Sequence, residues 1–218
     1  MPIDTYAEAS FFKSASYMDQ FVQRNVADII LMGIKPSYPS SKYGYIVPQN
    51  TKNENGIICV DKFIEKPSEN HAKELIASGA FWNGGVFAFK LCVILDVIKR
   101  YTDAQTYTQL VNNYRCLNKN SFDYEILEKS SSLGVVPYYG EWKDIGTWNT
   151  LTDVMPEYYA GNVVVGEEMS NCHIINELGI PLIALGIHDI VIAATPDGIL
   201  IANKDASTKI KKYTCEIK

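Results

Sequence analysis

Trp82-Asn83-Gly84-Gly85-Val86-Phe87-Ala88-Phe89, followed at once by Leu91-Cys92-Val93-Ile94-Leu95, sets the texture of the chain. The apolar run over 84–89 reads as a buried strand, and residues 91–101 read as a helix. The same pattern continues on either side. Upstream, Ser68 is an N-cap for a short helix with Ala72, Leu75 and Ile76 on one face, stopped by Gly79. Before it, strands over 43–47 and 57–64 should pair as a hairpin about Asn53-Glu54-Asn55-Gly56. Residues 37–42 form a Pro/Ser loop, and 28–34 an apolar strand ended by Gly33 and Pro36. A first helix is expected over 6–23, with Thr5 and Glu8 as a capping box and Phe11, Ala15, Met18 and Val22 at helical spacing. Downstream, 106–116 and 122–129 read as helical and 133–138 as a strand. Helices and strands alternate to about Met155, which implies an α/β layered domain, a partial Rossmann-like sheet.

Beyond Met155 the texture changes. Short β-runs over 162–165, 172–176, 182–187, 190–194 and 199–202 are separated by Gly, Pro and Asp turns, and a polar helix over 205–212 closes the chain. A boundary near residues 159–161 divides an α/β domain of residues 1–159 from a small β-rich C-terminal region of residues 160–218.

The 218 residues are 47% hydrophobic and 21% charged, ordinary for a folded protein that buries a core. A net charge of −5 argues against nucleic-acid binding, which needs clustered Lys and Arg. No apolar run approaches the roughly 20 residues that span a bilayer. The five cysteines are scattered without C-x-x-C spacing, which reads as reduced thiols in the cytoplasm and no zinc site. His71, His173 and His188 lack ligand spacing and read as core or solvent-facing residues.

Four motifs, with Gly44 and Asp4 beside them, carry chemistry. In Phe63-Ile64-Glu65-Lys66-Pro67, Lys66 offers a compact cation to a phosphate and Glu65 two acceptors to adjacent hydroxyls; a surface ion pair at a strand end fits the same residues. In Trp82-Asn83-Gly84-Gly85, the Asn83 amide can donate and accept, and the glycines let a ligand approach the backbone, or else form a tight turn. Gly44, in Tyr43-Gly44-Tyr45, offers a similar platform. Asp123 and Glu125 open a helix, where negative charge suits the dipole; Glu125 could also turn toward a sugar. Asp144, between Trp142 and Trp148, is a carboxylate in an apolar setting that calls for a partner, a metal or a helix cap to serve. Asp4 is its natural companion in a magnesium site, with helix-start polarity as the plainer reading.

Taken in order, these motifs resemble the sugar-nucleotide pyrophosphorylases, and within them the bacterial mannose-1-phosphate guanylyltransferases. The resemblance runs from Pro2-Ile3-Asp4 through Gly33-Ile34-Lys35-Pro36 and the motifs above to Asp144-Ile145-Gly146-Thr147-Trp148, Gly161-Asn162-Val163-Val164 and Ala194-Thr195-Pro196-Asp197-Gly198. It implies a nucleotidyltransferase fold and synthesis of GDP-mannose from mannose-1-phosphate and GTP, with release of pyrophosphate. It implies Mg2+ on Asp4 and Asp144, phosphate contact by Lys66, and sugar contacts by Gly44, Glu65, Asn83, Gly84 and Asp123. The same motifs suit another sugar-1-phosphate nucleotidylyltransferase, such as a thymidylyl- or cytidylyltransferase, and a non-catalytic sugar-phosphate-binding fragment.

Family members place a glycine-rich G-x-G-T-R-type loop and several βα units ahead of the Pro2-Ile3-Asp4 segment. The expectation is therefore an N-terminally truncated form that holds the acceptor half of the site and has negligible turnover by itself. A bared sheet edge near Pro2-Ile3-Asp4 is expected to favour a homodimer.

Overall fold

The structure is a computed structural model and describes residues 1–49 and 56–214. It contains two compact units: one of Met1–Ile3 and Ala7–Trp142, the other of Asp4–Tyr6 and Lys143 onward.

The elements begin with strand β1 (Thr5–Ala7), helix α1 (Ala9–Gln23) and strand β2 (Ile29–Ile34). They continue with β3 (Tyr45–Pro48), β4 (Ile58–Ile64), α2 (Glu69–Ala77), β5 (Phe81–Phe89), α3 (Leu91–Ile98) and α4 (Tyr107–Asn113), then β6 (Leu133–Tyr138) and β7 (Trp142–Asp144). The layered sheet is a mixed one whose strands run β2-β5-β3-β4-β6 and close on themselves. β2 and β6 are parallel, and the other neighbours are antiparallel. All six residues of β2 are buried. Successive side chains point to opposite faces. Ile30, Met32 and Ile34 therefore pack with Phe11, Met18, Phe21 and Val22 of α1. Ile29 and Leu31 pack instead with Phe63, Phe81, Leu133 and Val135. A strand covered on both faces reads as a continuous apolar run, which is why 28–34 shows no alternation.

The apolar face of the first helix is as its spacing implies, but the helix starts at Ala9 and no capping box forms. Thr5 is in β1. Glu8 occupies the N-cap without bonding a backbone N–H of the helix, because its carboxylate accepts from Ser10 Oγ (3.0 Å), Tyr138 Oη (3.0 Å) and Glu141 N (3.3 Å). Ser68 does cap α2, accepting from His71 N at 3.4 Å. β5 starts at Phe81, three residues before the expected strand, since Phe81 and Trp82 are both buried. The helix expected over 91–101 ends at Ile98. The one expected over 106–116 is α4 plus a 3-10 turn at Tyr114–Cys116, and that over 122–129 is a π-helical turn at Asp123–Leu127. β3 and β4 pair antiparallel as expected. Asn53, Glu54 and Asn55 of the expected turn, like Cys215, lie outside the described residues.

The second unit holds α5 (Trp148–Thr152), β8 (Tyr159–Gly161), β9 (Val163–Val165), β10 (His173–Asn176) and β11 (Leu182–Ala184), then β12 (Ile190–Thr195), β13 (Gly198–Asn203) and α6 (Lys211–Thr214). β8, β10 and β12 are parallel neighbours, as are β9 and β11. The chain thus winds alternately through two parallel ladders, and β13 turns back antiparallel on β12. Ile174, Ala184 and Ile192 form its small core with Val163, Leu182 and Ile187. The change of texture at 159–161 marks the first strand of this coil. The compact unit carrying it begins earlier, at Lys143.

Candidate active site

The end of β4 delivers Glu65 and Lys66 side by side. Lys66 Nζ donates to Glu65 Oε1; the lysine side chain is 51% exposed, the glutamate side chain 4%. Glu65 Oε2 is buried and has no hydrogen-bond partner among the described residues. Burial pushes the Glu65 carboxyl above its ordinary range. The Lys66 ammonium pulls it back, while Asp123 and Glu128 push it further up. The hydrogen bond to Glu65 raises the Lys66 ammonium in turn. The backbone contributes too. Lys66 sits at φ +47°, in the left-handed region, ahead of the buried Pro67, and its N–H donates to Tyr43 O at 3.2 Å. A non-glycine residue held there stores strain, which collects at working sites.

Gly44 lies against this carboxylate. A Cβ at that position would stand 2.5 Å from Glu65 Oε2 and 2.6 Å from Phe63 Cζ, so the close approach requires glycine. Gly44 O accepts from Asn83 N at 2.8 Å, tying the site to β5. Asn83 Nδ2 donates to Asp123 Oδ1 at 2.9 Å, and Asn83 Oδ1 accepts from Gly85 N at 3.0 Å. The structure thus brings Gly44, Glu65, Lys66, Asn83 and Asp123 into one connected network. Gly84 faces away from it: a Cβ there would meet the Ile34 side chain at 3.0 Å and Met32 O at 3.2 Å. Its glycine serves packing against β2.

Glu125 does not join the network. Its carboxylate accepts from Tyr101, Lys129 and Asn120, and is held down to about 2 chiefly by Lys129. Glu128, which sequence reasoning missed, accepts the Glu65 N–H at 2.8 Å. Its position one π-helical turn beyond Asp123 carried no signal, because an α-helical reading aims it elsewhere. Beside the network, Trp82 meets Tyr38 and Tyr43, each at a ring-centroid distance of 5.0 Å, and Tyr43 meets Trp142 at 5.8 Å.

Asp4 and Asp144 belong to the second unit. Asp4 directly precedes β1 and Asp144 ends β7, and these strands pair with each other. Asp144 Oδ1 accepts from Gly146 N at 3.0 Å. α5 begins only at Trp148 with Thr147 at its N-cap, so Asp144 is not the cap of that helix. Neither aspartate makes an ion pair among the described residues.

The model of the nucleotidyl transferase family matches residues 4–161. The chain belongs to this family. Among curated relatives of this nucleotidyl transferase, the alginate biosynthesis protein AlgA of Pseudomonas aeruginosa is 33% identical over 207 residues, 84% of this chain and 43% of that protein. A putative mannose-1-phosphate guanylyltransferase of Vibrio cholerae is 30% identical over 220 residues, 90% of this chain and 46% of that protein. The chain therefore spans less than half the length of these relatives. A crystal structure described as mannose-1-phosphate geranyltransferase from Thermus thermophilus superposes with a TM-score of 0.80 at 26% identity, covering 100% of this chain and 68% of that one. Among the described residues of the nucleotidyl transferase, no helix is long and apolar enough to cross a membrane.

Proposed function

We propose that this nucleotidyl transferase binds mannose-1-phosphate in the Glu65–Lys66–Asn83–Asp123 network and serves GDP-mannose formation from GTP, with release of pyrophosphate. The observation that carries the reading is the buried Glu65 carboxylate, one oxygen on Lys66 and the other without a partner among the described residues. A buried charged oxygen without a hydrogen bond is costly, and sugar hydroxyls supply the missing donors. The names of the relatives supply mannose and guanylyl.

In this reading Lys66 holds the acceptor phosphate, and Glu65 Oε2 accepts from a sugar hydroxyl. Asn83, oriented by Asp123 and by the Gly85 N–H, offers its second amide hydrogen to a neighbouring hydroxyl. Gly44 makes room for the Glu65 carboxylate itself, whose Oε2 would stand 2.5 Å from a Cβ at that position. A phosphate oxygen of mannose-1-phosphate attacks the α-phosphorus of GTP, the bond from that phosphorus to the bridging oxygen breaks, and pyrophosphate leaves. The nucleophile is already an anion, so alignment and charge neutralisation replace a general base.

Asp4, one residue before β1, and Asp144, the last residue of β7, offer hard carboxylate oxygens, the donor type that Mg2+ takes. When bound, the ion would offset phosphate charge and orient the phosphates. The Gly146 N–H fixes Asp144 through Oδ1 and leaves Oδ2 for such a role.

Calorimetry with mannose-1-phosphate, free mannose and glucose-1-phosphate tests the acceptor assignment. The expected order is mannose-1-phosphate tightest, with free mannose weaker by about 10-fold or more for want of the phosphate–lysine contact. Equal affinity for mannose and mannose-1-phosphate would remove the phosphate from the site.

A further inference from the structure

We propose that the cavity between α3 and α4 is a second ligand site, one that takes an apolar organic anion. α3, Leu91-Cys92-Val93-Ile94-Leu95-Asp96-Val97-Ile98, is apolar nearly all round, the pattern of a helix buried on every side. Yet no residue of α3, of α4 or of the turn Tyr114–Cys116 is buried. These segments instead line a hollow of about 600 Å³. That volume falls within the range of small-molecule sites, roughly 300–1,000 Å³.

The walls are apolar: Ile94, Ile98, Leu110, Leu117, Phe122 and Ile126. Such walls favour an organic body over water, which needs two to four polar partners. Arg115 and Lys119 also line the hollow, and neither makes an ion pair among the described residues. The carboxylate in the lining, Glu125, already takes hydrogen bonds from Lys129, Tyr101 and Asn120, so its charge is locally offset. The charge left to face a ligand is cationic. An apolar body with one anionic group fits both features. None of Glu65, Lys66, Asn83 or Asp123 lines the cavity, so the proposal stands apart from the acceptor-site reading.

The probe is 8-anilinonaphthalene-1-sulfonate, an aromatic sulfonate, titrated by fluorescence and calorimetry against its uncharged counterpart N-phenyl-1-naphthylamine. The expected result is one saturable site on the native protein, with the uncharged compound binding at least 10-fold more weakly. Arg115→Ala with Lys119→Ala, both at exposed positions, should weaken the sulfonate about 10-fold or more and leave the uncharged compound unchanged. Val97→Trp, which fills the hollow, should abolish binding of both. No saturable binding, equal affinity for charged and uncharged probes, or binding indifferent to either variant would overturn the proposal.

Discussion

The Glu65 carboxylate has one oxygen on Lys66 and the other buried without a partner among the described residues, next to a glycine that no larger residue could replace in place. Its carboxyl is raised above the ordinary value of 4.5. A group raised in the folded state contributes stability below that value, and the contribution is lost as pH rises through the folded pKa. At neutral pH the ionised, buried Glu65 therefore weighs against folding, a burden that a ligand-binding residue can carry. Glu65→Gln is expected to raise the melting temperature at pH 7 by about 2–4 °C per kcal/mol recovered, with the difference from wild type vanishing near pH 4; thermal melts at both values check it. Gly44→Ala should do the reverse. The added methyl falls within 2.6 Å of Glu65 Oε2 and Phe63 Cζ, and overpacking of this kind costs about 1–3 kcal/mol in denaturant titrations.

At the scale of elements, what the sequence revealed depends on how local the cause was. The Ser68 cap is a contact three residues long, and it is present; Ser68→Ala should cost about 0.5–2 kcal/mol. Thr5 and Glu8 have the same spacing, but Glu8 is claimed by Tyr138 and Glu141 from the far end of the unit, which no local pattern reveals. Thr5→Ala should accordingly leave helix stability within about 0.5 kcal/mol, by the same titration. The coil strands were legible because Gly, Pro and Asp turns punctuate them, while their parallel pairing was not, since register between distant runs leaves no mark in either. Glu65, Lys66, Asn83 and Asp123 were legible as motifs. The π-helical turn that aims Glu128 at the Glu65 N–H was not, because its hydrogen bonding departs from the 3.6-residue period by which helices are read. In the coil, burial holds the His173 imidazole below its ordinary 6.5, with Lys204 adding to the effect and Asp153 opposing it. A lowered folded value means stability present above 6.5 and lost as pH falls through the folded pKa. Unfolding of the C-terminal unit, followed by hydrogen exchange of Ile174, should become easier below about pH 6.5, and His173→Phe should flatten that dependence.

On the scale of the molecule, each unit carries its own candidate residues: the first the Glu65–Lys66–Asn83–Asp123 network with a half-exposed cation, the second Asp4, just before β1, and Asp144, which ends β7. If the aspartates hold a divalent ion, Mn2+ should broaden the NMR signals of Asp4 and Asp144 together, and Asp144→Asn should abolish the effect; broadening elsewhere alone would remove them as ligands. The segment Pro2-Ile3-Asp4, near which a bared sheet edge was expected, leads into β1, which among the described residues pairs with β7 alone, and the larger sheet closes on itself. The central claim concerns the acceptor network, and calorimetry of mannose-1-phosphate with wild type and Lys66→Ala tests it most directly. A charged hydrogen bond contributes about 1.5–3 kcal/mol, so the account predicts binding to the wild type and a loss of roughly 10- to 100-fold in the variant. Equal affinity in the two proteins would contradict it.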